Sequence, residues 1–483
     1  LEKALPSHEV SPLNSSEKKV ALFSRAANHA LEYLAVERAS PVHPGAELHE
    51  ALAPLDDLSL DRPVAPSELL DLLADLGRRT AVRSTGGRYF GFVTGGTEPA
   101  ALAASVLAQA WDQNAALSTM SPLAHRIDAQ VARWLVELLG LPAGATAVLC
   151  SGASVANLNA VTVARDHLLR VDGWDVNRNG LMGAPPITVV TSAEAHLSVD
   201  KAVRLAGLGT GRIVRAPVDG AGAIDPARLP PIQPPVLMIA QCGNVNTGHS
   251  DPVGQIDKVL RTRGLRGRAW IHVDGAFGLW AAASPRYRDQ VVGVDRADSW
   301  ATDGHKWPNS PYDCGVLIMA DPGPLVSTMA VDAAYARTPG AGEAGGSAVH
   351  WEPMQLGPQM SQRARSIPLL ATFATLGRDG MATLIDRCCW LAQHMARRLA
   401  AGGADLLAPV VLNQALVAFG DDSVTDAVIA GVEGGGEAWF GPTTWRGRRA
   451  MRISVSDVAT TLDDADRAVD AVLATWSAVG AGR

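Results

Sequence analysis

Four short segments carry the residue types that chemistry needs, and each lies where a strand is expected to end. Ser151-Gly152-Ala153-Ser154 joins the strand candidate Ala147–Cys150 to a helix that starts near Val155. Small residues let a backbone approach an anion closely. A helix N-terminus adds free N–H groups and the positive end of its dipole, which suits a phosphate. His196 follows the strand candidate Ile187–Thr191 and precedes another helix, where a neutral imidazole could stack on a flat ring or move protons. Asp274, in His272-Val273-Asp274-Gly275-Ala276, closes the strand candidate Ala269–Val273. A carboxylate buried at a strand end is costly unless it meets a cation or hydrogen-bond donors. Lys306 lies in Asp303-Gly304-His305-Lys306-Trp307, with Trp300, Trp307 and Pro308 close in sequence. Such partly desolvated surroundings favour a nucleophilic amine. Each segment also has a plain structural explanation: a helix cap at Ser154, a satisfied histidine, a turn-starting aspartate, a single surface lysine.

The set is more specific than its members. An anion site, a ring-stacking group, a buried carboxylate and a lysine nucleophile, in that chain order on one sheet, match the needs of pyridoxal 5'-phosphate. The lysine would form the Schiff base and the carboxylate would keep the pyridine nitrogen protonated, so that the ring serves as an electron sink. Phosphate-loop, dinucleotide-binding and zinc-hydrolase patterns are missing, as is a Gly-x-Ser-x-Gly elbow, and no histidines or cysteines fall at zinc-ligand spacing.

The elements that must position these groups alternate. Apolar runs at Ala147–Cys150, Ile187–Thr191, Ile213–Ala216, Val236–Ala240, Ala269–Val273 and Gly315–Met319 read as strands. Helical patterns at Ala156–Leu169, Val199–Ala206 and Val253–Thr262 separate several of them. Strands that are apolar throughout and separated by helices indicate an α/β fold with a mostly parallel sheet covered on both faces. Open sheets of this kind bind ligands at the carboxyl ends of their strands. Residues 1 to about 85 read as a helical arm, with apolar spacing in Val20–Val36 and Leu69–Leu76 that needs another domain or subunit to cover it. A long helix is expected over Ile367–Ala400, then a small α+β unit with strands Val410–Phe419 and Ala450–Val455 and a closing helix Leu462–Val479. The division is therefore 1–85, 86–375 and 376–483.

Composition sets the outer limits. Of 483 residues, 47% are hydrophobic and 19% charged, with a net charge of -7, which excludes a disordered chain and argues against a nucleic-acid partner. No apolar run approaches the roughly 18 residues of a membrane span. Leu1 to Val10 carries Glu2, Lys3, His8 and Glu9, unlike a signal peptide, so a cytoplasmic enzyme is expected. Five scattered cysteines suggest neither a disulfide framework nor a metal cluster, and Cys388 and Cys389 read as buried thiols in a helix.

The chain resembles the pyridoxal-phosphate-dependent group II decarboxylases, the family of aromatic amino acid, glutamate and cysteine-sulfinate decarboxylases. The similar segments are Arg88–Phe92, Ser151–Asn157, Ala195–Val199, His272–Phe277, His305-Lys306-Trp307 and Gln362–Ser366, in family order over roughly residues 85 to 380. The resemblance implies the aspartate-aminotransferase-like type I fold, with a seven-stranded sheet, a helical arm embracing a partner subunit, and a smaller C-terminal domain. It implies a homodimer with the active site at the subunit interface, and decarboxylation of an L-amino acid to its amine through a Lys306 aldimine and a quinonoid. By the same matching, Lys306 anchors the cofactor, Asp274 meets the pyridine nitrogen, His196 stacks on the ring and Ala276 lies against its other face. Ala153 and Ser154 would bind the phosphate, with His305 nearby and Asn244 where relatives carry a cofactor-contacting threonine. Tyr89, Phe90 and Thr94 would reach the substrate, Tyr89, Phe90 and Phe92 lean toward an aromatic or apolar side chain, and Arg365 would meet the substrate carboxylate or hold a loop. Alternatives on the same cofactor are an aldehyde synthase, an aldolase or an aminotransferase, and a non-enzymatic alternative is a dimeric scaffold.

Several positions depart from the family pattern. Asp303-Gly304 precedes His-Lys, which puts a carboxylate beside the expected phosphate, and His125-Arg126 replaces a more usual Thr-Glu. The glycine-rich stretch Val331–Pro358 is expected to be the catalytic lid, yet Ala348 stands near where the family places a tyrosine. His350 or Tyr335 would then deliver the proton to Cα, and His350 is favoured because it adjoins Trp351. On this reading His350→Ala leaves cofactor binding intact while slowing amine formation or raising the aldehyde fraction, as product mass spectrometry would show.

Overall fold

The computed structural model describes residues 16–45, 48–331 and 351–482. Its strands in chain order are β1 (Tyr89–Phe90), β2 (Thr146–Cys150), β3 (Thr188–Ser192), β4 (Ile213–Ala216), β5 (Val236–Gln241) and β6 (Ala269–Asp274). These are followed by β7 (Ser299–Asp303), β8 (Gly315–Met319), β9 (Asp405–Leu406), β10 (Gln414–Ala418), β11 (Trp439–Trp445) and β12 (Arg448–Ser454). Seven of them form one sheet in the order β2-β8-β7-β6-β5-β3-β4. Only β8 runs against its neighbours, so the sheet is mostly parallel, as expected.

Every residue of β5, β6, β7 and β8 is buried, which requires cover on both faces. Leu237 and Ile239 of β5 join a cluster with Ala156, Ala160, Val163 and Leu168 of the helix Ala153–Val171. Their alternates Val236, Met238 and Ala240 join the larger core, which includes Trp280, Trp300 and residues of the helix Ser366–Ala401. A period of two thus divides one strand between two cores. All five cysteines are free and buried, and no helix among the described residues is long and apolar enough to cross a membrane.

Six strand candidates of the main sheet fall within a residue of the observed elements, and β7 was not anticipated. Its sequence Ser299-Trp300-Ala301-Thr302-Asp303 looks too polar for a central strand, yet every residue is buried because the polar ones have partners. A second, five-stranded sheet has the order β1-β11-β12-β10-β9. Here the strand expected over Val410–Phe419 shortens to Gln414–Ala418, and β11 and the helix Asp422–Gly435 are additions. Its edge β1 pairs in parallel with β11, Tyr89 opposite Trp439 and Phe90 opposite Phe440.

The arm helix Ser16–Val36 has no buried residue. It lies against the helix Pro66–Thr80 through Asp71, which accepts from His29 Nε2 at 2.9 Å and pairs with Arg25.

The start of the helix Ala153–Val171 is fixed by a close crossing with β8. A Cβ on Gly315 would lie 2.3 Å from Gly152 Cα, the residue that precedes the helix. Gly315→Ala should therefore force the two apart and cost about 1–3 kcal/mol, the usual penalty for overpacking. Urea or thermal denaturation measures this, and an unchanged midpoint would mean that the helix start yields freely.

Candidate active site

The carboxyl ends of β6 and β7 bring three expected groups together. Asp274 is the last residue of β6, and Lys306 follows β7 by three residues. His196 stands just beyond β3, where it caps the helix Leu197–Leu205 by accepting the Ser198 N–H at 3.3 Å. These three side chains line one pocket with Ala276, Gln241, Gly243, Val245, Phe277, Phe92 and Val93. Five separated stretches of sequence therefore converge, three of them carrying the expected His196, Asp274 and Lys306.

Asp274 is 5% exposed, so its charge must be met by donors. It accepts from Asn157 Nδ2 at 3.0 Å, from Ser198 Oγ at 3.4 Å and from the Ala276 N–H at 3.3 Å. Burial lowers the His196 pKa, and the nearby Asp274 charge opposes that only in part. The imidazole is thus held neutral, as a ring-stacking group needs. Lys306 Nζ lies 3.1 Å from Asp303 Oδ2. The other oxygen of Asp303 accepts the Ala153 N–H at 2.6 Å, at the first turn of the helix Ala153–Val171. His305 is 3.5 Å from the same oxygen, accepts the Cys314 N–H through Nδ1, and is pushed down in pKa by burial.

Not every expected residue reaches the pocket. Phe90 is fully buried and stacks on Phe440, so it belongs to the core. The Asn244 carboxamide is engaged by backbone, accepting from Asn246 and Thr247 and donating to Glu194, while Gln241 and Gly243 face the pocket instead. Arg365 is paired with Asp313 at 3.3 Å, alongside Arg363, which favours the loop-holding alternative over a carboxylate contact. Trp300 and Trp307, expected to surround the lysine, are fully buried, with the Trp300 indole bonded to the Val294 carbonyl. The pocket walls come from Phe92, Val93 and Phe277. Thr94 bonds the Tyr312 hydroxyl, and Ser154 is exposed beside the helix end. His350 and Tyr335 lie outside the described residues, as does most of the expected lid.

Three features were not anticipated. Phe92 and Val93 both have left-handed backbones, with φ of 52° and 54°. A β-branched residue there is strained by about 1–3 kcal/mol, and such strain gathers at functional sites. Trp439 is flanked by Tyr89 at 4.9 Å and Phe92 at 5.1 Å between ring centroids, an aromatic stack beside the pocket. Arg452 of β12 is 8% exposed and has no ion pair among the described residues. Its Nε lacks a partner, and its charge reaches both His196 and Tyr89. No sequence signal marked it, because one arginine in an alternating strand resembles any solvated residue.

The donor set fits pyridoxal 5'-phosphate. Lys306 could hold the carbonyl carbon, Asp274 the ring nitrogen, and His196 and Ala276 the two ring faces. The helix end at Ala153 could hold the phosphate, sharing that position with the Asp303 carboxylate. An α/β fold with this constellation defines a type I pyridoxal-phosphate enzyme.

The chain matches the family model of the pyridoxal-dependent decarboxylase conserved domain over residues 53–420. It therefore belongs to the pyridoxal-dependent decarboxylases. It is 27% identical over 359 residues to an acidic amino acid decarboxylase of Xenopus tropicalis, covering 72% of this chain and 68% of that protein. An L-2,4-diaminobutyrate decarboxylase of Rhizobium meliloti is also 27% identical, over 77% of this chain and 74% of the relative. The stretch shared with the mouse acidic amino acid decarboxylase spans only 50% of that protein. In fold, the chain is similar to the crystal structure of Oryza sativa TDC with PLP and tryptamine. The TM-score is 0.86 at 21% identity, over 97% of this chain and 99% of that one.

Because Lys306 supplies the only amine in this pocket among the described residues, Lys306→Ala should abolish turnover and covalent cofactor uptake. Arginine should not rescue it, since a guanidinium stays protonated. Asp274→Asn should bind cofactor yet lose several orders of magnitude in kcat, because an amide cannot hold a proton on the ring nitrogen. Visible absorbance and steady-state rates check both, and a fully active Lys306→Ala would refute the assignment.

Proposed function

We propose that this chain is an amino acid α-decarboxylase that uses pyridoxal 5'-phosphate and releases an amine and CO2. The observation that carries the reading is the convergence of Lys306, Asp274 and His196 on one pocket at the strand ends. When bound, the cofactor supplies an electron sink for the pair left on Cα as CO2 departs. Lys306 anchors it, Asp274 keeps its ring nitrogen protonated, and His196 and Ala276 hold the ring flat between them. Burial of Asp274 strengthens its interaction with the ring nitrogen.

Arg452 is the candidate receptor for a substrate carboxylate, being a buried guanidinium with no acidic partner among the described residues. A fixed guanidinium fork suits a carboxylate geometrically. Phe92 and the Tyr89–Trp439 stack lean the side-chain preference toward aromatic or apolar substrates.

The active form is proposed to be a homodimer. Val20 and Leu31 of the arm helix are 64% and 65% exposed, and Phe23 and Leu34 also face outward, a stripe suited to a second copy. A cytoplasmic location accords with five free cysteines. The boundaries 1–85, 86–375 and 376–483 are retained as a proposal, supported by the kink at Gly377 within the long helix.

The test is incubation of the reconstituted chain with each amino acid, scoring CO2 and identifying products by mass spectrometry. An amine with stoichiometric CO2 is expected, and an aldehyde or keto acid would place the chain in another branch of the same chemistry. Against the best substrate, Arg452→Gln should raise KM roughly ten- to hundredfold, the worth of a charge-assisted hydrogen bond. An unchanged KM would remove Arg452 from the substrate site.

A further inference from the structure

Behind Asp274 runs a chain of buried hydrogen bonds that the pocket residues do not explain. Trp270, His272 and Asp274 occupy alternate positions of β6 and so share one face, toward the helix Ala153–Val171. Trp270 Nε1 lies 2.9 Å from Ser299 Oγ, on the neighbouring strand β7. Ser299 Oγ lies 2.9 Å from His272 Nδ1, and His272 Nε2 lies 2.9 Å from Asn157 Oδ1. Asn157 Nδ2 then reaches Asp274 Oδ2 at 3.0 Å. All five side chains are buried.

The two ends of this chain fix its direction. An indole N–H can only donate, and an ionised carboxylate can only accept. Asn157 must therefore turn its NH2 to Asp274, which leaves its carbonyl oxygen to face His272. His272 must carry its proton on Nε2 and accept the Ser299 hydroxyl on Nδ1, and that hydroxyl oxygen in turn accepts from Trp270. Each group donates to the next, with one tautomer and one amide orientation consistent throughout. Complete burial pushes the His272 pKa down to about 3, so the imidazole is neutral at working pH.

We propose that His272 is a positioning residue, resting on the decarboxylase reading above. Through Asn157 it holds the Asp274 carboxylate in place and aimed at the cofactor's ring nitrogen. Among charged and titratable groups on other elements, His196 and Cys242 interact with Asp274, Lys306, Arg452 and Asp303 reach His196, and none is a link in this chain. Without His272, Asn157 is free to flip and present a carbonyl oxygen to Asp274, which would repel the carboxylate and turn it away from the ring nitrogen.

The experiment uses the cofactor-loaded chain as wild type, His272→Phe, His272→Gln and Ser299→Ala. It reads kcat, KM, thermal stability and the pH titration of the bound cofactor's visible absorbance. His272→Phe should lower kcat about tenfold or more at nearly constant KM and move the absorbance titration by about one pH unit. His272→Gln, whose amide can still donate to Asn157, should recover most of both, and Ser299→Ala should fall between. A His272→Phe chain that loses only thermal stability, with wild-type titration and kcat, overturns the proposal. If His272→Phe does not fold, Ser299→Ala decides by the same readings, and a wild-type titration and kcat there overturn it. Failure of the wild-type chain to load pyridoxal phosphate would instead overturn the decarboxylase reading, and this inference with it.

Discussion

A negative charge held at the end of a central strand is the constraint on which the rest of this site depends. Left alone, the Asp274 carboxylate would be costly to bury or would neutralise by taking up a proton. Its neighbours offset that cost by donation from Asn157, Ser198 and the Ala276 backbone. Each donor comes from a different element, so the sheet, the helix Ala153–Val171 and the helix Leu197–Leu205 must all be in register before the charge is satisfied. Chemical poise and tertiary structure are therefore coupled: a shift in any of these elements removes a donor from the one group that must stay ionised.

The helix Ala153–Val171 serves both purposes at once. Its apolar residues close one face of the sheet, its first N–H meets Asp303, and its second turn delivers Asn157. Asp303 in turn joins that helix end to Lys306, so the anion-binding end and the amine are connected through a single carboxylate. A phosphate held at that helix end would compete with this carboxylate for the same partial positive charge, so the placement of Asp303 would bear on how tightly the cofactor is held.

The parts legible in sequence are those where one residue type answers one demand. Apolar runs gave the central strands because residues buried on both faces leave no alternative, and Asp274 and His196 stood at their ends. Strand β7 was hidden because Ser299 and Asp303 are polar for reasons visible only in three dimensions, where each has a buried partner. Asn244 illustrates the opposite error: a carboxamide at a matched position, but turned to its own backbone. Trp439 and Arg452 were out of reach because their meaning comes from segments hundreds of positions apart. Periodicity records which face a residue occupies, and not what stands opposite it.

The pairing of β1 with β11 has a consequence for the order in which the protein can be made. Tyr89 and Phe90 align with Trp439 and Phe440, so the aromatic stack beside the pocket unites segments far apart in the chain. On a ribosome adding about 5–20 residues per second, roughly 350 residues separate the two strands, a delay of about twenty seconds to over a minute. Throughout that interval Phe90 has no strand to pair with and no Phe440 to cover it. The nascent chain therefore carries an open apolar edge until β11 has been made, and that edge is where a chaperone would be needed first.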